Sequence, residues 1–225
     1  MSLELHIDPE VTRRLPDSTY GIITCRVTNS ATNEMLWEEI LELTDAVRAN
    51  YTLETVKEQP VIAATREAYK ALGGDPNRYR PSADALFRRV VKGNDLYRIS
   101  TLVDLINYIS LKTGYSIGGF DMDQLRGAVR VGIGRKDEPY EGVGRGTLNI
   151  EGLQVLRDEA GAFGTPTSDH VRTSVQMQTR RFYMHIYGYS GLESLKNTIE
   201  LSVYLLQKYG NAEDLQAWTV PSSVA

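Results

Sequence analysis

At Gly127 the spacing of apolar residues changes, and that change limits the folds open to this chain. Upstream the pattern is mostly helical. Leu36, Ile40, Leu43 and Val47 recur at three- and four-residue intervals within a helix expected over 33–49, with Thr32 or Asn33 able to cap its start. Further helices are expected from Pro60 to Gly73-Gly74, from Arg80-Pro81-Ser82 to Gly93, and over 101–113, closed by Gly114. Downstream of Gly127 the period falls to two, and strands are expected over 128–133, 147–150, 152–156 and 179–187. Two strand candidates, 3–7 and 21–27, precede the first long helix, with Pro9 and Pro16 breaking the interval between them. A last helix is expected over 191–209, and a loose tail after Trp218. Helices gathered early and strands late do not make alternating βαβ units. The pattern therefore predicts a single α+β domain with a central mixed sheet flanked by helices.

Composition narrows the class. Of the 225 residues, 41% are hydrophobic and 24% charged, which suits a globule. Apolar runs stop far short of the roughly 20 residues a membrane span needs. The start, Met1 to His6, has neither a basic leader nor an apolar core, so no secretory signal is expected. The single cysteine, Cys25, reads as a small core hydrophobe and suggests a reducing, cytoplasmic setting. The net charge of −4 hides an asymmetry. Residues 1–60 carry five basic against eleven acidic side chains, whereas 66–98 carry eight basic against four acidic. Such a basic stretch could focus an anionic ligand or be no more than solvated helix faces.

Most catalytic signatures are missing. Gly142-Val143-Gly144-Arg145-Gly146 is not followed by Lys-Ser/Thr, and His6, His170 and His185 lack metal-ligand spacing, so neither a metal nor a cofactor is expected. Three segments remain. The helix at 101–113 carries Thr101, Asp104 and Tyr108 on one side with Asn107 beside them, and buried polar groups there require hydrogen bonds. They could tie down neighbouring loops or wall a polar pocket. Gly114, Gly118 and Gly119 permit close approach to backbone. The stretch 164–173 gathers hydroxyls, Asp169, His170 and Arg172 within one loop.

Together these segments carry a resemblance. Arg80-Pro81-Ser82, Leu86-Phe87-Arg88-Arg89-Val90, Thr101-Leu102-Val103-Asp104-Leu105-Ile106-Asn107-Tyr108 and Gly118-Gly119-Phe120-Asp121-Met122-Asp123-Gln124-Leu125-Arg126-Gly127 are similar to the B3/B4 domain of the bacterial phenylalanyl-tRNA synthetase β subunit, and more closely to free-standing B3/B4 proteins. The core of the similarity covers 75–190 within a domain expected over 1–220, with 1–60 as an N-terminal extension. The resemblance implies an α/β fold with a central sheet and, in the synthetase, hydrolysis of tyrosine wrongly attached to tRNA. In the synthetase pattern a histidine stands two residues before the aromatic–Asp pair, where this chain has Gly118. An acid that reads the tyrosine hydroxyl is expected near the end of 182–187, where this chain has none.

On this resemblance two functions are open. The first is a trans-editing hydrolase for mischarged aminoacyl-tRNA. Thr101, Asp104, Asn107, Gly118 and Gly119 would shape the pocket; Thr165, Ser168 and Asp169 would orient the water or the amino group; Arg172 would meet the terminal phosphate. Arg78, Arg80, Arg88 and Arg89 would follow the RNA backbone. The second is a module that binds tRNA or a free amino acid without chemistry. His185 is expected on the sheet face of Tyr183 and Tyr187 as a structural histidine, and His170 as a loop residue. Trp37, Tyr79 and Tyr97 could stack on bases or simply pack.

Overall fold

Strands whose two faces are both apolar must be covered on both sides, and two such strands organise this molecule. The computed structural model describes residues 3–223. In chain order the elements are β1 (Leu5–Ile7), α1 (Pro9–Arg14), β2 (Thr19–Arg26), α2 (Glu34–Asn50), α3 (Pro60–Leu72), α4 (Ser82–Val91), α5 (Thr101–Thr113), β3 (Ile117–Asp121) and β4 (Val129–Ile133). There follow β5 (Glu141–Gly142), β6 (Gly146–Thr147), β7 (Gln154–Asp158), β8 (Gly161–Gly164), β9 (Arg181–Gly188), α6 (Leu192–Gly210) and β10 (Glu213–Pro221). One sheet has the order β10–β2–β9–β3 and is antiparallel throughout. The other has the order β1–β4–β7–β8 and is mixed, because β1 lies parallel to β4.

β2 and β9 pair along their whole length, from Thr19 opposite Gly188 to Arg26 opposite Arg181. Side chains of a strand alternate between faces, and here both faces are buried. Ile23, Cys25, Phe182, Met184 and Ile186 meet a helical layer through Leu36, Ile40, Leu105, Ile109, Leu195 and Leu206. Tyr20, Ile22, Phe120, Tyr183 and Tyr187 meet the second sheet through Val129, Val131, Leu156 and Phe163. The fold is therefore α+β in three layers: helices, sheet, sheet.

Local signals behave as their chemistry requires. Asn33 caps α2, its side chain accepting from the Met35 (2.9 Å) and Leu36 (3.4 Å) amides. Gly114 ends α5 at φ 83°, a left-handed conformation that glycine adopts without strain. Cys25 is buried among core residues, and burial pushes its thiol up to about 12. Among the described residues no helix is long and apolar enough to cross a membrane.

Several expectations change. The expected strand at 147–150 shrinks to β6, half of a small hairpin with β5. The strand expected at 152–156 sits two residues later, and β8 was not foreseen. The glycine-rich run after α5 is the strand β3, because β9 supplies the pairing that the sequence alone does not reveal. The tail after Trp218 continues β10, paired with β2 as far as Pro221 opposite Thr19. The first 60 residues, expected as an extension, supply β1, the inner strand β2 and the core helix α2.

Candidate functional site

β3 is the edge strand of its sheet, and a cavity of about 380 Å³ lies beside it. Ile117 and Gly119 form its floor. Val103, Ile106 and Asn107 of α5 form one wall, Thr165, Ser168 and Asp169 the facing one, and Ser174, Val175 and Gln176 a third. Ser82, at the start of α4, and Val143, in the β5–β6 hairpin, complete the enclosure with Ile99. The hydrophilic cavity expected from the sequence is thus half apolar.

Local bonds fix the wall at 165–169. Thr165 Oγ1 donates to the Ser168 carbonyl (2.9 Å) and accepts from the amides of Thr167 (3.2 Å) and Ser168 (3.0 Å). Tyr140 donates to the same Ser168 carbonyl at 2.6 Å, and the Val143 amide donates to the Asp169 carbonyl at 2.9 Å. The turn that results aims Asp169 at the edge of β3, where its Oδ2 accepts from the Gly119 amide at 3.1 Å. Burial pushes the Asp169 carboxyl up to about 7, and the Gly119 N–H only partly opposes this.

Glycines at 118 and 119 make this contact possible. A Cβ at Gly118 would stand 2.5 Å from the Phe120 ring and 3.0 Å from Asp169 Oδ1. The volume that a side chain would use there is filled by Phe120 and the carboxylate. Gly119 lets Ile106 lie against the strand, since a Cβ there would come within 2.2 Å of Ile106 Cδ1.

The structure brings Asn107, Gly119, Thr165, Ser168 and Asp169 to one cavity, with Gly118 against Asp169. It does not bring Thr101, Asp104 or Arg172 to its lining. Thr101 Oγ1 donates to the Ala31 carbonyl (3.0 Å), and Asp104 accepts from Thr32 and from the Ile99 amide (3.1 Å). Burial raises the Asp104 carboxyl, opposed by these bonds. Their place is to tie α5 to the 29–32 loop, the first of the two roles considered for them. Arg172 spends its guanidinium on Asp158 (2.8 and 3.0 Å) and the Gln124 carbonyl (2.9 Å).

The basic stretch is partly neutralised. Arg88 and Arg66 both bind buried Asp84, at 2.6 and 2.8 Å. Arg89 donates to the Asp95 carbonyl and lies 4.0 Å from the ring centroid of Tyr97, which is 65% exposed. Arg78 lies over Tyr79 at 5.1 Å, and the buried Nε of half-buried Arg80 has no partner among the described residues. Trp37 is partly buried against the helical core, with Arg98 over its ring. His185 is fully buried between the sheets, its Nδ1 2.6 Å from the Tyr183 hydroxyl, and burial lowers it to about 3. His170 Nδ1 accepts from the Arg172 amide. Among the described residues no group of three His, Cys, Asp or Glu is placed to hold a metal.

Sequence reasoning missed the apolar half of the lining. Val103, Ile106 and Asn107 share a helix face at three- and four-residue spacing, a signal that was available. The 174–176 segment gave none. It reaches the site by bridging the edge of β3, Ser174 opposite Phe120.

A sequence model of the B3/4 domain matches residues 64–203. The chain belongs to the B3/4 domain family. The match takes in most of α3, all of α4 and α5, both sheets' inner strands except β2, and most of α6. Among solved structures, an N-terminal fragment of the phenylalanyl-tRNA synthetase β-subunit from Pyrococcus horikoshii is similar, with a TM-score of 0.50 and 12% identity. The alignment covers 98% of this chain and 55% of that one, so this B3/4 protein spans about half the length of the fragment, and the likeness is one of fold. No curated protein sequence matches the chain.

Proposed function

We propose that this B3/4 protein binds the aminoacyl end of a tRNA and hydrolyses the ester of a mischarged amino acid. One observation carries the reading: Asp169 is the sole charged side chain of the cavity lining, among the described residues, and no Lys or Arg accompanies it. A free amino acid would bring a carboxylate into this site with no cation to meet it and a like charge beside it. An esterified amino acid has lost that charge and keeps an ammonium, which the Asp169 field favours.

The chemistry follows from the carboxylate's environment. Gly119 holds Oδ2, leaving Oδ1 without a donor among the described residues. A base with a pKa near 7 is well matched to neutral pH. Asp169 accepts a proton as water oxygen attacks the ester carbonyl carbon. The tetrahedral intermediate then expels the ribose oxygen, which takes that proton back. Asn107 positions the water, while Thr165 and Ser168 hold the turn. Arg78, Arg80 and Arg89 face the RNA.

Incubation with a panel of mischarged tRNAs tests this. Release of at least one amino acid above the buffer rate is expected. Asp169→Asn should slow it about 100-fold or more, as loss of a general base does, and Asn107→Ala should slow it less. No release from any tRNA overturns the hydrolytic reading. The engagement of Thr165 and Ser168 within their own turn favours one alternative, tRNA binding without turnover. Salt-sensitive retention of tRNA on filters with no hydrolysis would select it.

A further inference from the structure

Resting on the reading above, the cavity also carries information about which amino acid it takes. Its polar groups are unequally available. Thr165 Oγ1 is committed to its turn, Ser168 Oγ donates to the Asp169 carbonyl at 3.3 Å, and Ser174 Oγ donates to the Val171 carbonyl at 2.9 Å. Gln176 Nε2 is in turn committed to Ser174 Oγ at 2.8 Å. Among the described residues the side chains of Ser82 and Asn107 have no partner, Asp169 has one unbonded oxygen, and the Gln176 side-chain carbonyl is an unengaged acceptor. The reacting end needs Ser82, Asn107 and Asp169 for itself, since its carbonyl, its amine and the attacking water must all be met.

The rest of the enclosure is hydrocarbon. Val103 and Ile106 face the cavity from α5, Ile117 from the floor and Val175 from the third wall. Ile106 can lie this close to β3 only because position 119 is glycine. Ile99 and Val143, the most exposed aliphatics of the lining, remain 57% and 46% exposed and add apolar surface to that of Val103, Ile106, Ile117 and Val175. Large aliphatic side chains left open to water around a concave site are a recognition surface rather than a packing remainder.

We infer that the site selects aminoacyl groups with apolar side chains, seated against Val103, Ile106, Ile117 and Val175. Once the aminoacyl end is met, the Gln176 Oε1 acceptor alone stays unengaged in the lining, among the described residues, so a polar side chain would replace its water incompletely.

Near-isosteric pairs isolate polarity from shape. Titration calorimetry of the full chain would compare methioninamide with glutaminamide and leucinamide with asparaginamide, the amides standing in for the ester. The apolar member of each pair should bind about 10-fold tighter or more, the scale set by burying an unpaired amide. Val103→Thr, which keeps shape and adds a hydroxyl, should reduce that ratio about threefold or more without lowering the melting temperature substantially. Glutaminamide binding within about threefold of methioninamide, or no binding of any amide, overturns the inference.

A parallel deacylation panel separates this inference from the reading beneath it. Faster release of polar than of apolar amino acids overturns the selectivity and leaves hydrolysis standing. A clear amide preference with no hydrolysis of any aminoacyl-tRNA upholds the selectivity and overturns the hydrolytic reading.

Discussion

Asp169 is held in a position that costs the folded state. Its carboxyl is raised to about 7 by burial, well above its value in an unfolded chain. Between the two values the native protein binds more protons than the unfolded one, so stability falls as pH rises from about 4 to about 7. Above that range the whole penalty remains. Asp169→Asn keeps an oxygen for the Gly119 amide and removes the charge. It should therefore raise the melting temperature at pH 8 by roughly 5 °C, corresponding to on the order of 2 kcal/mol, with the gain disappearing near pH 4. Thermal melts across that range would show it, and a lower melting temperature at pH 8 would mean that burial does not dominate at Asp169. The same variant is expected to lose hydrolysis, which is how a functional site commonly trades stability for reactivity.

At the scale of elements, the edge strand β3 does most to define the site. Its outer side is met by the Asp169 carboxylate at Gly119 and by the Ser174 bridge at Phe120, so the edge is covered by the site itself. Gly118 is fixed by sterics rather than by flexibility, because its neighbours are a fully buried phenylalanine ring and Asp169. Gly118→Ala should destabilise the protein by about 1–3 kcal/mol, the usual cost of overpacking, read as a lower denaturant midpoint. An unchanged midpoint would show that Phe120 can move aside. Helix α5 illustrates why the polar residues of one helix do not all serve one purpose. Thr101 and Asp104 anchor its first turn to the 29–32 loop, whereas Asn107, one turn further on, faces the cavity. The spacing shows which residues share a side; which side meets a ligand depends on the loop packed against the first turn.

For the whole molecule, the sheet order makes the two chain ends indispensable. β10 pairs with β2, and β2 pairs with β9, so the inner sheet is assembled from segments nearly 200 positions apart. Deleting residues 1–60 would remove β1, α1, β2 and α2, leave β10 without its pairing strand, bare the edge of β9 that β2 covers and strip α2 from the helical layer. The remaining chain is expected to lose its cooperative thermal transition, as followed by circular dichroism, even though it retains the whole of the matched B3/4 region. A cooperative melt in the deleted chain would show the first 60 residues to be separable.

Periodicity alone established the α+β class, the long helices and their caps, and β9 with its two faces, because these depend on side chains a few positions apart. The resemblance carried by 101–127 added the family. Neither could separate α5's anchoring residues from its cavity residues or assign β3 and β10 as strands. Nor could either show that Arg172 and Arg88 are spent on Asp158 and Asp84. Apart from the Arg88–Asp84 pair, four residues apart on α4, each depends on a partner from 14 to about 200 positions away. Pairing, burial and neutralisation are properties of neighbours in space, and only the folded chain chooses them.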